Sequence, residues 1–315
     1  VLAGLILFWQ VRRRATAVTQ SIEADITTSF ALMTTAVDQG DFDLFQSLHW
    51  QNGRHTGWGR SLDTLVSRDS QFWYGRRSGF TLLTDELQPA DIEIAPDLKS
   101  AQLVTAQSYE IQTPAQGSQT ITLQQIYTFE FADDGRWLLA APDDDFWGEW
   151  LTYNSRYLNL SYPARDEALS LRIATALDKN LTQFCEWSVD MPTLPPCPDD
   201  MQFQVRWRQE IGSLSKLDQS RDDSSFSMNS SNNPIITMPA PTLVGLPTDA
   251  AGEQIVVDLL VRQTMAAIFR SVFWGSENFD WYRFADYNQA SLNQLLVQME
   301  IAAWPPPSFP SDDSG

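Results

Sequence analysis

Ile22, Ile26, Phe30, Met33 and Val37 recur at steps of four, four, three and four residues, one apolar stripe along a helix. Gly40 suits the left-handed position that ends such a helix, and Asp41 can cap a second one carrying Phe42, Phe45 and Leu48. A third short helix is predicted near Ser61 to Arg68. After Pro89 the period falls to two. Ala101, Leu103, Tyr109 and Ile111 share one face of an extended run, and Thr113 to Ser118 reads as a turn. Ile121, Leu123, Tyr127, Phe129 and Phe131 share a face of the returning strand. Asp133-Asp134-Gly135 is another tight turn, followed by a third strand from Arg136 to Ala140. Helices followed by an antiparallel meander predict an α+β domain over residues 20–150.

A second α/β or α+β domain with long C-terminal helices is predicted over 151–304. Its first strand alternates Tyr157, Asn159 and Ser161 with Leu158, Leu160 and Tyr162, and Pro163 ends it. A helix follows, with Ala168, Leu169, Ile173, Ala176, Leu177, Leu181 and Phe184 on its apolar face. Phe203, Val205 and Trp207 mark a strand within Gln202 to Arg208. Ser213 to Asn233, rich in Ser, Asn and Asp, reads as a mobile loop. A short strand spans Pro234 to Met238, and an irregular crossing leads from Pro239 to Pro247. Thr248 or Asp249 caps a helix running to about Phe273, and a last helix runs from near Asp280 to Ala303. Pro305-Pro306-Pro307 stops it, and residues 305–315 read as a disordered tail.

Composition excludes more than it identifies. An apolar fraction of 43% is ample for packed cores. Forty acids against 21 bases give a net charge of -19, which repels phosphate backbones and argues against nucleic-acid binding. With two His and two Cys, no Cys/His zinc cluster of three or four ligands has a plausible spacing, and no metal or cofactor is expected. The chain opens on Val1 and is read as a processed or trimmed product. The apolar run Val1 to Trp9 before Arg12-Arg13-Arg14 reads as the C-terminal part of a membrane anchor, residues 1–19, the alternative being a signal-peptide remnant. Charge bias alone would place the Arg triplet in the cytoplasm. Against this, Cys185 and Cys197 flank one Pro-rich bend, and their pairing as a disulfide points to an oxidising, extracytoplasmic compartment.

Two resemblances follow. Ala36-Val-Asp-Gln-Gly40-Asp41-Phe-Asp-Leu-Phe-Gln-Ser-Leu48, with Asp134-Gly135-Arg136-Trp137 on a late strand, resembles the SnoaL-like, nuclear-transport-factor-like cone fold. That resemblance implies a curved sheet wrapped on helices around a pocket, and a family of isomerases, dehydratases and non-catalytic binding modules. It also allows a homodimer, since cone domains commonly pair through their sheets. The order of elements after Arg156, with Met238 to Pro247 preceding a long helix, is similar to gluzincin-type metallopeptidase domains of bacterial surface proteins. There the corresponding helix carries His-Glu-x-x-His on zinc. Here Val256 to Ile268 holds no imidazole, so the resemblance implies a pseudoenzyme in which Asp258, Arg262 and Gln263 are interface or helix-surface residues.

No residue is assigned a catalytic role. His49, Trp50, Tyr109, Tyr127, Trp147 and Trp150 are the candidate ligand-binding residues, with Gln125 beside Tyr127 on its strand. His55, in a glycine-rich stretch, is expected to be a solvated loop residue, and His49 a helix-end cation or packed ring. Asp143-Asp-Asp-Phe-Trp-Gly-Glu-Trp150 could hold a sugar or form a closing turn, and its spacing matches no defined calcium loop. The expected protein is a single-pass, membrane-anchored bacterial protein with extracytoplasmic domains that binds a protein partner or membrane complex without catalysis. The alternatives are a cone-fold isomerase or hydrolase using His49 or a strand carboxylate, and carbohydrate or cell-wall recognition through Trp147 and Trp150.

Overall fold

The computed structural model describes residues 2–50, 53–68, 73, 80–83, 87–113, 117–190, 197, 202–217, 226–228 and 234–274. The helix predicted near Asp280 to Ala303 and the tail at 305–315 lie outside the described residues. The chain is a mixture of helix and sheet that divides into two compact units, Val1–Gly75 with Asp85–Gln107 and Gln124–Pro142, and Arg76–Thr84 with Ser108–Leu123 and Asp143–Gly315.

In the first unit, α1 (Leu2–Gln39) is one unbroken helix through the Arg triplet. No helix among the described residues is long and apolar enough to cross a membrane. Burial begins at Ile22 and follows the predicted stripe through Ile26, Phe30, Met33 and Val37. The helix ends as its glycine predicts. Gly40 takes φ +66°, its N–H donates to the Val37 carbonyl at 3.1 Å, and Asp41 N–H donates to Ala36 at 2.8 Å. The Asp41 carboxylate then accepts from Leu44 N–H at 3.0 Å and starts α2 (Phe42–Ser47). Phe45 is buried there, whereas Phe42 is exposed. A short helical turn, Gly53–His55, leads into α3 (Thr56–Arg68), which begins before its predicted start.

β1 (Phe80–Leu82) belongs to the second unit, and β2 (Gln88–Ile94) pairs antiparallel with β3 (Ser100–Thr113) in the first. β4 (Gly117–Phe131) returns beside β3, and β5 (Trp137–Ala140) pairs antiparallel with β4. The period-two reading is confirmed at Ala101, Leu103, Tyr109, Ile111, Ile121, Leu123 and Phe129, all buried. Phe131 departs from it: at the strand's end it is 46% exposed and rests against Trp137.

In the second unit, α4 (Asp144–Trp147) is a single turn capped by Asp143, whose carboxylate accepts from Phe146 N–H at 2.8 Å. A five-stranded sheet follows in the order β6, β7, β8, β10, β9. It comprises β6 (Trp150–Asn154), β7 (Leu158–Pro163), β8 (Phe203–Arg208), β9 (Phe226–Met228) and β10 (Pro234–Pro239). β7, β8 and β10 run parallel, and the two edge strands antiparallel to them. Between β7 and β8 runs α5 (Glu167–Asp190). Its buried face holds Leu169, Ile173, Leu177, Leu181 and Phe184, but Ala168 is exposed and Ala176 only half-buried. Ser170 and Ala174 are buried instead, because Trp207 Nε1 donates to Ser170 Oγ at 2.9 Å, a polar contact that an apolar pattern does not reveal.

The predicted mobile loop is corrected in part. Ser213 to Leu217 belongs to the helical segment Ile211–Leu217, with Leu214 and Leu217 buried, and Phe226–Met228 is a paired strand. The intervening 218–225 and 229–233 lie outside the described residues. The crossing contains α6 (Pro241–Val244) and β11 (Leu246–Pro247). α7 (Ala250–Trp274) starts at Asp249, whose carboxylate accepts from Gly252 N–H at 2.7 Å.

From Val256 to Ile268, α7 is buried nearly all round, against α5, β10 and β11. Arg262 and Gln263 are therefore interior residues, which corrects the helix-surface half of the expectation that they are interface or helix-surface residues, and burial lowers the Arg262 guanidinium to about 10. Asp258 is half-buried and accepts from Gln254 Nε2 at 2.8 Å. The predicted disulfide is present: Cys185 on α5 bonds to Cys197, Cα atoms 5.4 Å apart.

Asp166 is almost wholly buried. Its Oδ1 accepts from Thr242 N–H at 2.9 Å and Thr242 Oγ1 at 2.6 Å, while Oδ2 has no partner. Burial outweighs those bonds and raises its carboxyl to about 6. The folded state thus holds this proton more tightly than the unfolded chain, whose carboxyl titrates near 3.8. Stability from this group is full below about pH 4 and falls by roughly 3 kcal/mol as pH rises through 6. In urea unfolding from pH 4 to pH 7, Asp166→Asn should gain about that much relative to wild type. Parallel pH profiles would refute the assignment.

Candidate functional site

Residues just after α2 build the first unit's most chemically loaded corner. Leu139 N–H donates to the Leu48 carbonyl at 3.0 Å, and Trp50 N–H to the Leu139 carbonyl at 2.9 Å, so the chain from 48 to 50 lies parallel to β5. This pinning turns His49 inward. Its Nε2 meets Asp63 Oδ1 of α3 at 2.9 Å, and its Nδ1 lies 3.4 Å from the Trp50 carbonyl. Phe45 and Trp58 present ring edges to it, with centroids 5.4 and 6.3 Å away. The imidazole has no solvent-exposed surface, the packed ring that the sequence allowed.

Gly59 is what lets α3 come so close: a Cβ there would stand 2.9 Å from the Trp50 carbonyl oxygen and 3.4 Å from the His49 ring.

His55 corrects the expectation of a solvated loop residue. It closes the Gly53–His55 turn, is 4% exposed, and stacks on Trp50 with centroids 5.9 Å apart. Its Nδ1 accepts from Ala141 N–H at 3.1 Å, which leaves the proton on Nε2, 3.4 Å from Glu130 Oε2. A neutral imidazole satisfies both partners.

A surface groove of about 360 Å³ passes over this corner, lined by Ser47, His49, Trp50, Asp133, Asp134 and Arg136, among others. Its charges already answer one another. Arg136 bonds the Asp134 carboxylate through Nε at 2.8 Å and Nη2 at 2.7 Å, holding that carboxyl below its ordinary range, and donates to the Ser47 carbonyl at 3.2 Å.

Tyr127 lies deeper. Its hydroxyl donates to the Trp73 carbonyl at 3.1 Å, and its ring packs against Phe30 and Trp73, with centroids 5.0 and 5.2 Å away. Trp73 in turn meets Phe45, so ring contacts run unbroken from His49 to Tyr127. Sequence reasoning missed the polar insert in this face. Thr105 and Gln107 are buried where the alternation of β3 calls for apolar residues, and Thr105 Oγ1 and Gln125 Nε2 have no hydrogen-bond partner. The signal was in the pattern, since the apolar alternation skips from Leu103 to Tyr109.

The remaining candidates belong to the second unit. Tyr109 is buried against Phe80. Trp147 is 2% exposed, edge-on to Phe146, whose ring carries the Arg165 guanidinium 3.8 Å from its centroid. Trp147 is therefore withdrawn from any surface role, and the Asp143-Asp144-Asp145 run serves as cap and first turn of α4. Trp150 is 42% exposed, with the Arg206 guanidinium 4.6 Å from its ring centroid. The six candidates thus form no single site. His49, Trp50 and Tyr127 share the first unit through packing, whereas Trp150 alone presents a large aromatic surface. Asp63, Glu130 and Arg206 had no local sequence signal, because each is defined by a partner distant along the chain.

No family model matches the chain, and no curated protein does. Solved structures similar to parts of it include an NTF-2 like protein of unknown function from Shewanella oneidensis MR-1. That likeness has 15% identity and a TM-score of 0.24, and covers 38% of this chain and 93% of that one. A protein of unknown function from Mycobacterium tuberculosis shows 14% identity and a TM-score of 0.25 over 37% and 70% of the two chains. A calcium/calmodulin dependent protein kinase II association domain from Xanthomonas campestris shows 11% identity and a TM-score of 0.23 over 37% and 81%.

The close approach at α3 has a measurable consequence. Gly59→Ala should destabilise the protein by about 1–3 kcal/mol in urea unfolding, because backbone and imidazole must both move. Gly57→Ala, with open space around the added methyl, should be neutral or stabilising by up to about 1 kcal/mol. Equal effects at the two positions would refute the packing.

Proposed function

We propose that this is a non-catalytic binding or assembly protein of the bacterial envelope, membrane-anchored, with both units outside the cytoplasm. The observation that carries the reading is the use of the histidines. The chain has two, and each imidazole is buried and committed to holding backbone and carboxylate partners. A general base must reach its substrate's proton, and neither ring does. On this reading the first unit is a cone-type module that acts as a binding scaffold. The second is a metallopeptidase-like unit whose α7 packs a buried apolar surface where such an enzyme would carry its imidazoles.

The disulfide supports an oxidising compartment. The anchor rests on the apolar opening run and the Arg triplet. A second reading, carbohydrate recognition, is favoured by the exposure of Trp150 on a polar sheet face.

Two measurements test the proposal. His49 and His55 should both resist diethylpyrocarbonate in the folded protein at pH 7 and react fully once urea unfolds it. Rapid modification of either in the native state would restore an accessible base and favour the enzyme alternative. In intact cells, Cys185 and Cys197 should escape a membrane-permeant maleimide until a reductant is added. Prompt labelling without reductant would refute the extracytoplasmic assignment.

A further inference from the structure

The second unit's sheet is two-sided. Leu158, Leu160, Tyr162, Phe203, Val205, Trp207, Ile236 and Met238 are buried; on the opposite face Trp150, Thr152, Asn154 and Arg206 are exposed, Asn159, Ser161, Gln204 and Arg208 are half-buried, and Pro163 is buried. Register places those polar side chains in rows. Thr152 stands opposite Ser161, Ser161 opposite Arg206, and Arg206 opposite the buried Thr237. In the next row Asn154 faces Asn159, and Asn159 faces Gln204. Trp150 starts the third row and leans across to Arg206.

Of the two guanidinium groups on this face, Arg208 pairs with the Glu210 carboxylate. Among the described residues Arg206 pairs with none, although it is exposed and would gain one cheaply. Its guanidinium carbon lies over the indole instead, 4.6 Å from the ring centroid, and a guanidinium can receive a carboxylate through two parallel bonds. Around it the face offers hydroxyls and carboxamides, the donors and acceptors that meet sugar hydroxyls.

We propose that this face is a binding site for an acidic saccharide, with Arg206 receiving the uronate carboxylate. Trp150 holds the guanidinium and adds an apolar edge to a sugar ring. Thr152, Ser161, Asn154 and Asn159 contact sugar hydroxyls. An acidic peptide is the weaker fit, since it lacks the ring hydroxyls that the rows of hydroxyl and carboxamide groups would meet. The inference deepens the carbohydrate reading of Trp150 and rests on it.

Calorimetric titration of the full chain with a galacturonate hexamer, its fully methyl-esterified form and poly-glutamate is the test. Wild type should bind the acidic hexamer and bind the ester at least tenfold more weakly. Arg206→Gln and Trp150→Ala should each lose at least tenfold for the hexamer with unchanged thermal unfolding, both side chains being exposed. Equal affinity for hexamer and ester, abolished by Trp150→Ala, would overturn the acid-specific site and leave carbohydrate recognition standing. Binding of poly-glutamate as strong as that of the hexamer would overturn the saccharide assignment. No binding of either sugar would overturn both.

Discussion

An imidazole can be buried without loss only if each ring nitrogen finds the partner its protonation state requires, and the first unit is organised around meeting that condition twice. His55 does so as a neutral ring, accepting from Ala141 N–H and turning its proton toward Glu130. His49 lies between the Asp63 carboxylate and the Trp50 carbonyl. These contacts tie α3 and the Gly53–His55 turn to the ends of β4 and β5, through residues far apart in the chain.

The second unit solves a different problem. Its five-stranded sheet hides an apolar face and leaves amides, hydroxyls and the guanidinium groups of Arg206 and Arg208 on the other. α7 is buried nearly all round, which requires an apolar sequence throughout and explains how a polar Arg262 there comes to have a lowered pKa. Asp166 shows the same tension on a smaller scale. It ties the turn before α5 to α6 through Thr242, and desolvation of its second oxygen outweighs the bonds made by the first.

The apolar periods of the sequence were faithful to the elements wherever one face of a helix or strand met a core. The stripe from Ile22 to Val37 and the alternation along β3, β7 and β8 are examples. They failed where a polar side chain was buried by a specific bond, as at Ser170 beneath Trp207, or where an apolar one lay at the end of its own strand, as at Phe131. The candidate site was legible only as separate residues. Trp147 and Trp150 are three positions apart and look equivalent in composition. The turn at Gly148 sends one into the interior and leaves the other on an edge strand.

Local chemistry, which the sequence contains in full, determined the caps at Asp41, Asp143 and Asp249, the left-handed Gly40 and the faces of the strands. It also determined the pairing of the two cysteines, since the chain has no others. Only the tertiary structure decided that Asp63 meets His49, that Glu130 meets His55, and that Arg206 lies on Trp150. Those contacts join residues 14, 75 and 56 positions apart. Their energies depend on burial and register, which no window along the chain encodes.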